Sequence, residues 1–183
     1  MPIVPDTKNW TWVIEQPCLD CGFDGRTTEI TAIADLVRAN AAAWPELLAR
    51  PDAALRPTDD QWSALEYGCH VRDVFRLYAL RLGRMLTEDT PRFDNWDQDV
   101  TAVEQRYDLQ DPIVVAGELV EAAEHNARLW ETVTPEHYAR RGVRSDGAEF
   151  TVVTFATYFI HDPIHHLDDV ARGNRILADS RLD

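Results

Sequence analysis

Phe159-Ile160-His161-Asp162-Pro163-Ile164-His165-His166-Leu167 lies in the middle of a long apolar-periodic segment that predicts a helix over 150–172, stopped by Gly173-Asn174. His161 and His165 are four residues apart, which places both imidazoles on one helical face and leaves His166 facing away. Pro163 predicts a kink between them, because proline removes a helical hydrogen bond. Alone, the pair indicates either metal ligands or ordinary solvated or core histidines.

A metal site on this helix needs a third ligand from elsewhere, since catalytic zinc typically has three protein ligands and one open position. His70 is the best-placed remaining histidine, in the middle of a second helical segment. If the two helices pack together, His70, His161 and His165 bind one divalent ion. The metalloprotease motif H-E-x-x-H is excluded, because Asp162 follows His161.

Four long segments carry the helical pattern, at about 28–50, 58–85, 111–133 and 150–172. Thr58 and Gln61 form a capping-box signature for the second helix, and Asp111-Pro112 reads as N-cap and first residue of the third. Pro45 predicts a kink or an end in the first helix. The sequence therefore predicts an all-α four-helix bundle.

The connections are predicted to be irregular, apart from a short helix near 96–106. The clearest loop is Arg141–Gly147, which is rich in turn formers and arginine. We expect this loop and the segment Phe93–Asp99 to cover the histidine site. We also expect no sheet of more than two strands.

Length and composition predict one domain over 1–183, with a loop-like extension at 1–27. The chain is 45% hydrophobic with six tryptophans, which is typical of a folded globule. No apolar run approaches the roughly 18 residues that a membrane helix needs, and the first residues do not resemble a signal peptide. We therefore expect a cytoplasmic protein without a membrane partner. The net charge of −14 argues against nucleic-acid binding.

The three cysteines are Cys18, Cys21 and Cys69. Cys18-Leu19-Asp20-Cys21-Gly22 resembles half of a zinc knuckle, but a second C-x-x-C is absent, so the sequence assigns it no role. Cys69 follows the core stripe of its helix rather than the face of His70, because adjacent helical residues point about 100° apart.

A histidine midway along the second helix, followed by H-x-x-x-H on the fourth, resembles the DinB/YfiT-like metalloenzyme superfamily. The matching stretches are 62–84 and 141–169, and the likeness extends over 28–176. The resemblance implies an up-down-down-up bundle holding a divalent metal on three protein ligands, zinc first and nickel second. It also implies chemistry on low-molecular-weight thiols such as mycothiol, bacillithiol or glutathione. The mycothiol-dependent maleylpyruvate isomerases of this family carry a further C-terminal domain, for which this chain is too short.

Three neutral imidazoles would leave a bound dication strongly positive, able to lower the pKa of a thiol or of water. We therefore expect a metal-dependent thiol S-transferase acting on a small-molecule thiol and an electrophile. A metal-dependent hydrolase of the same fold is one alternative, and a bundle that binds a metal or small molecule without turnover is another. A homodimer is compatible with the sequence.

Four further residues are candidates for supporting roles. Asp73 and Asp169 lie three and four residues after His70 and His165, and could orient these ligands through their second ring nitrogens. Arg141 and Arg144 could bind an acidic substrate. For all four, an ordinary solvated surface position is the alternative.

Overall fold

The computed structural model describes residues 9–180, which form a helical protein with one small sheet. The helices are α1 (Ile33–Leu48), α2 (Ala64–Thr87), α3 (Gln98–Glu104), α4 (Pro112–Glu131) and α5 (Val152–Asp179). The strands are β1 (Arg92–Phe93), β2 (Arg141–Arg144) and β3 (Glu149–Thr151). Single-turn 3-10 helices occur at Trp10–Ile14, Gly25–Thr27, Ile30–Ala32, Tyr107–Leu109 and Pro135–His137.

The helix starts show one correct and one wrong prediction. Asp111 caps α4 by accepting from the amide of Ile113 at 2.8 Å, which confirms the predicted start. The predicted box at Thr58 and Gln61 is wrong, because α2 begins at Ala64 with a capping box of Ser63 and Glu66. Glu66 accepts from the amide of Ser63 at 2.9 Å, whereas Thr58 donates its hydroxyl to a neighbouring aspartate.

Neither internal proline ends its helix. Pro45 lies inside α1 and Pro163 inside α5, and both helices continue past them. The carbonyl of Pro163 accepts a 2.7 Å hydrogen bond from the side chain of Asn40, so α1 supports α5 at this point. The predicted stop at Gly173 is also wrong, because α5 continues to Asp179. A Cβ at Gly173 would lie 3.0 Å from the side chain of Pro57, so the glycine allows close packing there.

The core lies between α1, α2, α4 and α5, which pack as a four-helix bundle. Helix α4 packs against both α1 and α2, and α5 closes the bundle on its other side. Burial of large apolar side chains is the main driving force for this packing. The largest fully buried apolar side chains include Trp44, Phe75, Leu82, Leu119, Phe155 and Phe159.

A three-stranded sheet corrects the expectation of at most two strands. Strand β2 pairs with β1 in parallel and with β3 antiparallel, so Arg141–Gly147 is not simply a loop. The sheet has no signal in the sequence, because strands of two, four and three residues are too short to display a period of two. The pairing joins the segment after α2 to the segment before α5.

The described part of the predicted extension, residues 9–27, packs onto α5, as does the turn Ile30–Ala32 that follows it. The backbone approaches α5 closely at Gly25, where a Cβ would lie 2.1 Å from the side chain of Thr157. The rest of the predicted extension, residues 1–8, lies outside the described residues. Within 9–180, no helix is both long enough and apolar enough to cross a membrane.

Candidate metal centres

Helix α5 presents two pairs of candidate metal ligands on neighbouring faces. His161 and His165 share one face, and Asp162 and His166 share the next, about 100° around the helix. The structure places each pair with different partners. His70 meets Asp162 and His166, while His161 and His165 meet two cysteines. The three histidines predicted to bind one ion are therefore divided between two clusters.

The first group, named here the α2–α5 cluster, consists of His70, Asp162 and His166. The Nε2 atom of His70 lies 3.2 Å from Oδ1 of Asp162, and Nε2 of His166 lies 3.6 Å from the same oxygen. The three ligand atoms all lie within 4.8 Å of one another. Ligands that share a small divalent ion at about 2.1 Å have similar separations, so this donor set fits a metal.

The ionisation of the α2–α5 cluster also suits a metal. Burial lowers the pKa of His70 despite the nearby carboxylate of Asp162, so the imidazole is neutral at pH 7. Burial alone would raise the pKa of Asp162, but His70 and His166 hold it well below its ordinary value. A neutral imidazole and an ionised carboxylate are the forms that bind metals.

The two aspartates predicted to orient ligands have different surroundings. Asp169 lies 2.9 Å from Nδ1 of His166, a carboxylate–histidine contact of the kind that fixes metal-binding imidazoles, and 3.8 Å from Nε2 of His165. Asp73 accepts instead from the hydroxyl of Tyr107 at 2.6 Å. The buried Nδ1 of His70 has no hydrogen-bond partner within residues 9–180.

Aromatic rings cover the His70 side of the cluster. Trp96 stacks on His70 with ring centroids 5.3 Å apart and planes inclined by 6°. His70 is fully buried, whereas 29% of the Asp162 side chain is exposed, so solvent reaches the cluster on the Asp162 side. Trp96 also lines a surface cleft of about 420 Å³, and none of the three cluster residues lines that cleft.

The second group is named here the Cys2His2 cluster. It consists of Cys18, Cys21, His161 and His165, whose ligand atoms lie within 4.8 Å of one another. Both histidines and Cys18 are buried, and Cys21 is partly buried. Sequence reasoning missed this group, although C-x-x-C and H-x-x-x-H each supply two ligands of a four-ligand site.

The candidate substrate arginines have partners within the protein. Arg141 is exposed and lies 3.6 Å from a carboxylate oxygen of Glu149. Arg144 is largely buried and donates to Asp146 at 2.7 Å and to the hydroxyl of Tyr158 at 2.8 Å. The sequence did not single out Arg81, a buried residue of α2 that donates to the carbonyl of Asp94 at 2.6 Å.

Residues 33–170 match the family model described as the DinB superfamily. The chain belongs to this superfamily. Its fold is similar to that of a solved structure described as "YfiT from Bacillus subtilis is a probable metal-dependent hydrolase with an unusual four-helix bundle topology". The two chains are 17% identical, with a TM-score of 0.72 over 90% of this chain and 91% of the other. Among curated proteins, none is similar enough in sequence to count as a relative.

One signal in the sequence of this DinB superfamily member could have identified the α2–α5 cluster. Asp162 and His166 have the same spacing of four as His161 and His165, so both pairs fit a helical metal site equally well. Helical periodicity alone cannot tell which of the two faces α2. The orientation of α5 about its own axis decides this, and packing sets that orientation.

Proposed function

We propose that this protein is a divalent-metal-dependent enzyme whose ion is held by His70, Asp162 and His166. The observation that carries the proposal is the convergence of two imidazole nitrogens on one carboxylate oxygen, at 3.2 and 3.6 Å. Three protein ligands leave coordination positions open, as in catalytic rather than structural sites. Zinc is the first candidate for the ion and nickel the second.

The chemistry of such a site is nucleophile activation. A divalent ion bound there would lower the pKa of a thiol or of water near neutral pH. Asp169 holds His166 through its Nδ1 and fixes the direction of Nε2. Trp96 covers His70 and excludes water from that side, while the partly exposed Asp162 marks the side from which a substrate would approach.

Two arginines, Arg81 of α2 and Arg144 of β2, favour a substrate with an anionic group. Burial raises the pKa of Tyr78 well above its ordinary value, and the charges of Asp162, Arg81 and Arg144 also act on it. Arg81 lies over the Tyr78 ring at 5.6 Å and Arg144 over the Tyr158 ring at 5.5 Å. We expect Arg81 to contact the acidic end of the substrate, because its hydrogen bond goes to a neutral carbonyl.

The preferred nucleophile in this proposal is a low-molecular-weight thiol, with mycothiol as first candidate, transferred to an electrophile. Support comes from the activities that the family resemblance implies. Hydrolysis is the second candidate, favoured by the fold that this chain shares with YfiT, itself described as a probable metal-dependent hydrolase. Both reactions use the same three ligands and differ in the nucleophile.

The test begins with protein stripped by a chelator and reloaded with zinc or nickel. It is incubated with mycothiol and a generic alkylating electrophile, and separately with an activated ester. Thiol loss that needs the metal and disappears in Asp162→Asn supports the transferase. Metal-dependent ester cleavage without thiol loss supports the hydrolase, and inactivity in both assays supports a binding protein. His125→Ala, which changes an exposed histidine of α4, is the matched control.

We also propose that the four long helices run up-down-down-up. Helices α2 and α4 pack against each other, and parallel neighbours need a connection that spans the bundle. The 88–111 segment, which includes α3, is long enough for that return, since α2 is about 36 Å long at 1.5 Å per residue.

A further inference from the structure

The Cys2His2 cluster is separate from the proposed catalytic ligands and has its own geometry. Sγ of Cys18 lies 3.5 Å from Nδ1 of His165. Two ligands of one tetrahedral zinc ion, at 2.3 Å for sulfur and 2.0–2.1 Å for nitrogen, stand roughly 3.6 Å apart. The observed separation, which also lies within hydrogen-bond reach of a thiol and an imidazole, fits two ligands on a common ion.

A buried polar atom of this cluster indicates that His161 binds a metal ion. Nε2 of His161 has no hydrogen-bond partner within residues 9–180, although the residue is only 4% exposed. Buried polar groups are nearly always satisfied, so such an atom needs an explanation. A metal ion between His161 and the two cysteines would supply the partner.

The local fold of the cysteine segment suits a metal knuckle. The amide of Gly22 donates to the carbonyl of Cys18 at 2.9 Å, and the amide of Cys18 donates to Phe23 at 2.8 Å. Gly22 has a φ of +75°, which lets the chain turn tightly just after Cys21. This turn brings both thiols towards α5, where His161 and His165 project one helical turn apart.

Aromatic rings close the cluster from outside. Trp10 lies 5.5 Å from the ring of His161 and 5.1 Å from that of His165, and Phe23 lies 5.6 Å from His161. Four ligands behind such a cover leave no open position, which is the mark of a structural site.

We propose that Cys18, Cys21, His161 and His165 bind one zinc ion, which fastens the N-terminal extension to α5. Two thiolates and two neutral imidazoles balance the charge of Zn²⁺, and two thiol protons are released to solvent on binding. This inference does not rest on the proposed enzymatic function, because the two sites share no ligand.

A redox role for the cysteines fits the structure less well. Burial raises the pKa of Cys21 to about 11, the opposite of the shift found in reactive thiols. A Cys18–Cys21 disulfide would also leave the buried Nε2 of His161 without a partner. The two interpretations differ in thiol content, metal content and spectrum.

The full-length protein, purified under reducing conditions, is tested by elemental analysis and by replacing its metal with cobalt(II). We expect a thiolate-to-cobalt charge-transfer band and about one zinc per chain that a mild chelator removes slowly. Cys18→Ser and Cys21→Ser should each weaken the band, and the double variant should abolish it. Cys69→Ser, which changes a buried cysteine outside the cluster, should keep the band at full strength.

The outcomes separate this site from the α2–α5 cluster. Asp162→Asn should keep the charge-transfer band, even if the proposed enzyme activity proves absent. Wild-type protein that binds cobalt without a thiolate band would overturn the zinc site, and so would unaltered zinc content in the Cys18→Ser, Cys21→Ser double variant. Wild-type protein that binds neither zinc nor cobalt at this cluster, although both thiols are reduced and free to bind, would overturn it as well.

Discussion

His165 and His166 are neighbours in the chain, yet they face different clusters and share the carboxylate of Asp169. Oδ2 of Asp169 lies 2.9 Å from Nδ1 of His166 and 3.8 Å from Nε2 of His165. Helix α5 therefore connects the two clusters rigidly. A zinc ion in the Cys2His2 cluster would fix the rotation of α5, and thereby the positions of Asp162 and His166 relative to His70.

The division of ligands can be tested by two single substitutions. Asp162→Asn should remove the ion of the α2–α5 cluster and reduce activity by more than the roughly 10–100-fold that loss of an outer partner costs. His165→Ala should remove the thiolate-bound ion instead. Elemental analysis with cobalt spectroscopy distinguishes them. Loss of the catalytic ion in His165→Ala, with the ion kept in Asp162→Asn, would contradict the α2–α5 cluster. It would support instead the site of His70, His161 and His165 that the sequence predicts.

Removal of the shared carboxylate should weaken metal binding without removing a ligand. Asp169→Asn leaves His166 without its charged partner, so we expect metal affinity at the α2–α5 cluster to fall about 10–100-fold. A competition titration against a chelator of known affinity measures the change. Asp168→Asn is the control, because Asp168 pairs with Arg172 rather than a histidine. Equal affinities for the two variants would contradict the orienting role of Asp169.

The sequence predicted the helices well because each long helix carries a repeating apolar stripe. Their starts were harder to place, since Thr58 and Ser63 are both followed three residues later by a residue that can complete a capping box. Burial of the Ser63 and Glu66 pair decided the choice. The sheet could not be predicted, because its pairing joins segments far apart in the chain.

The two candidate metal clusters were only partly predictable for a related reason. The sequence identified α5 and His70, but two ligand pairs with identical spacing follow one another on α5. The cysteines were left unassigned because their partners lie near the other end of the chain. Only packing shows that Cys18 and Cys21 lie against His161 and His165.

Glu66 tests whether a buried acid near His70 serves the site or the helix. It completes the α2 capping box and pairs with Arg56, so Glu66→Gln should lower the free energy of unfolding by about 2 kcal/mol at pH 7. Metal content should not change. Glu88→Gln changes an exposed carboxylate paired with Arg84, and should lower the free energy of unfolding much less, because solvent screens an exposed ion pair.

The effect of Glu66 should depend on pH in a defined direction. Burial opposes its ionisation, but Arg56 and Ser63 lower its pKa below 4.5 in the folded protein. Its contribution is therefore present above pH 4.5 and is lost as the pH falls through the folded pKa. Urea denaturation across this range should show the gap between wild type and Glu66→Gln closing at low pH. A gap that stays constant would rule out the charged pair as its source.

Trp96 should control how fast the α2–α5 cluster exchanges its ion. Its ring stacks on His70, and its indole nitrogen donates to Thr101 at 2.7 Å. Trp96→Ala exposes His70 to water and chelator, so we expect zinc release several-fold faster, whereas Trp96→Phe keeps an aromatic cover and should lie near wild type. The time course of zinc release to a colorimetric chelator measures this rate. The ion of the α2–α5 cluster should leave in a fast phase, and the ion of the closed Cys2His2 cluster in a slower one. Circular dichroism shows whether the fold is intact, and an unchanged fast phase in folded Trp96→Ala would mean that the ion leaves on the Asp162 side.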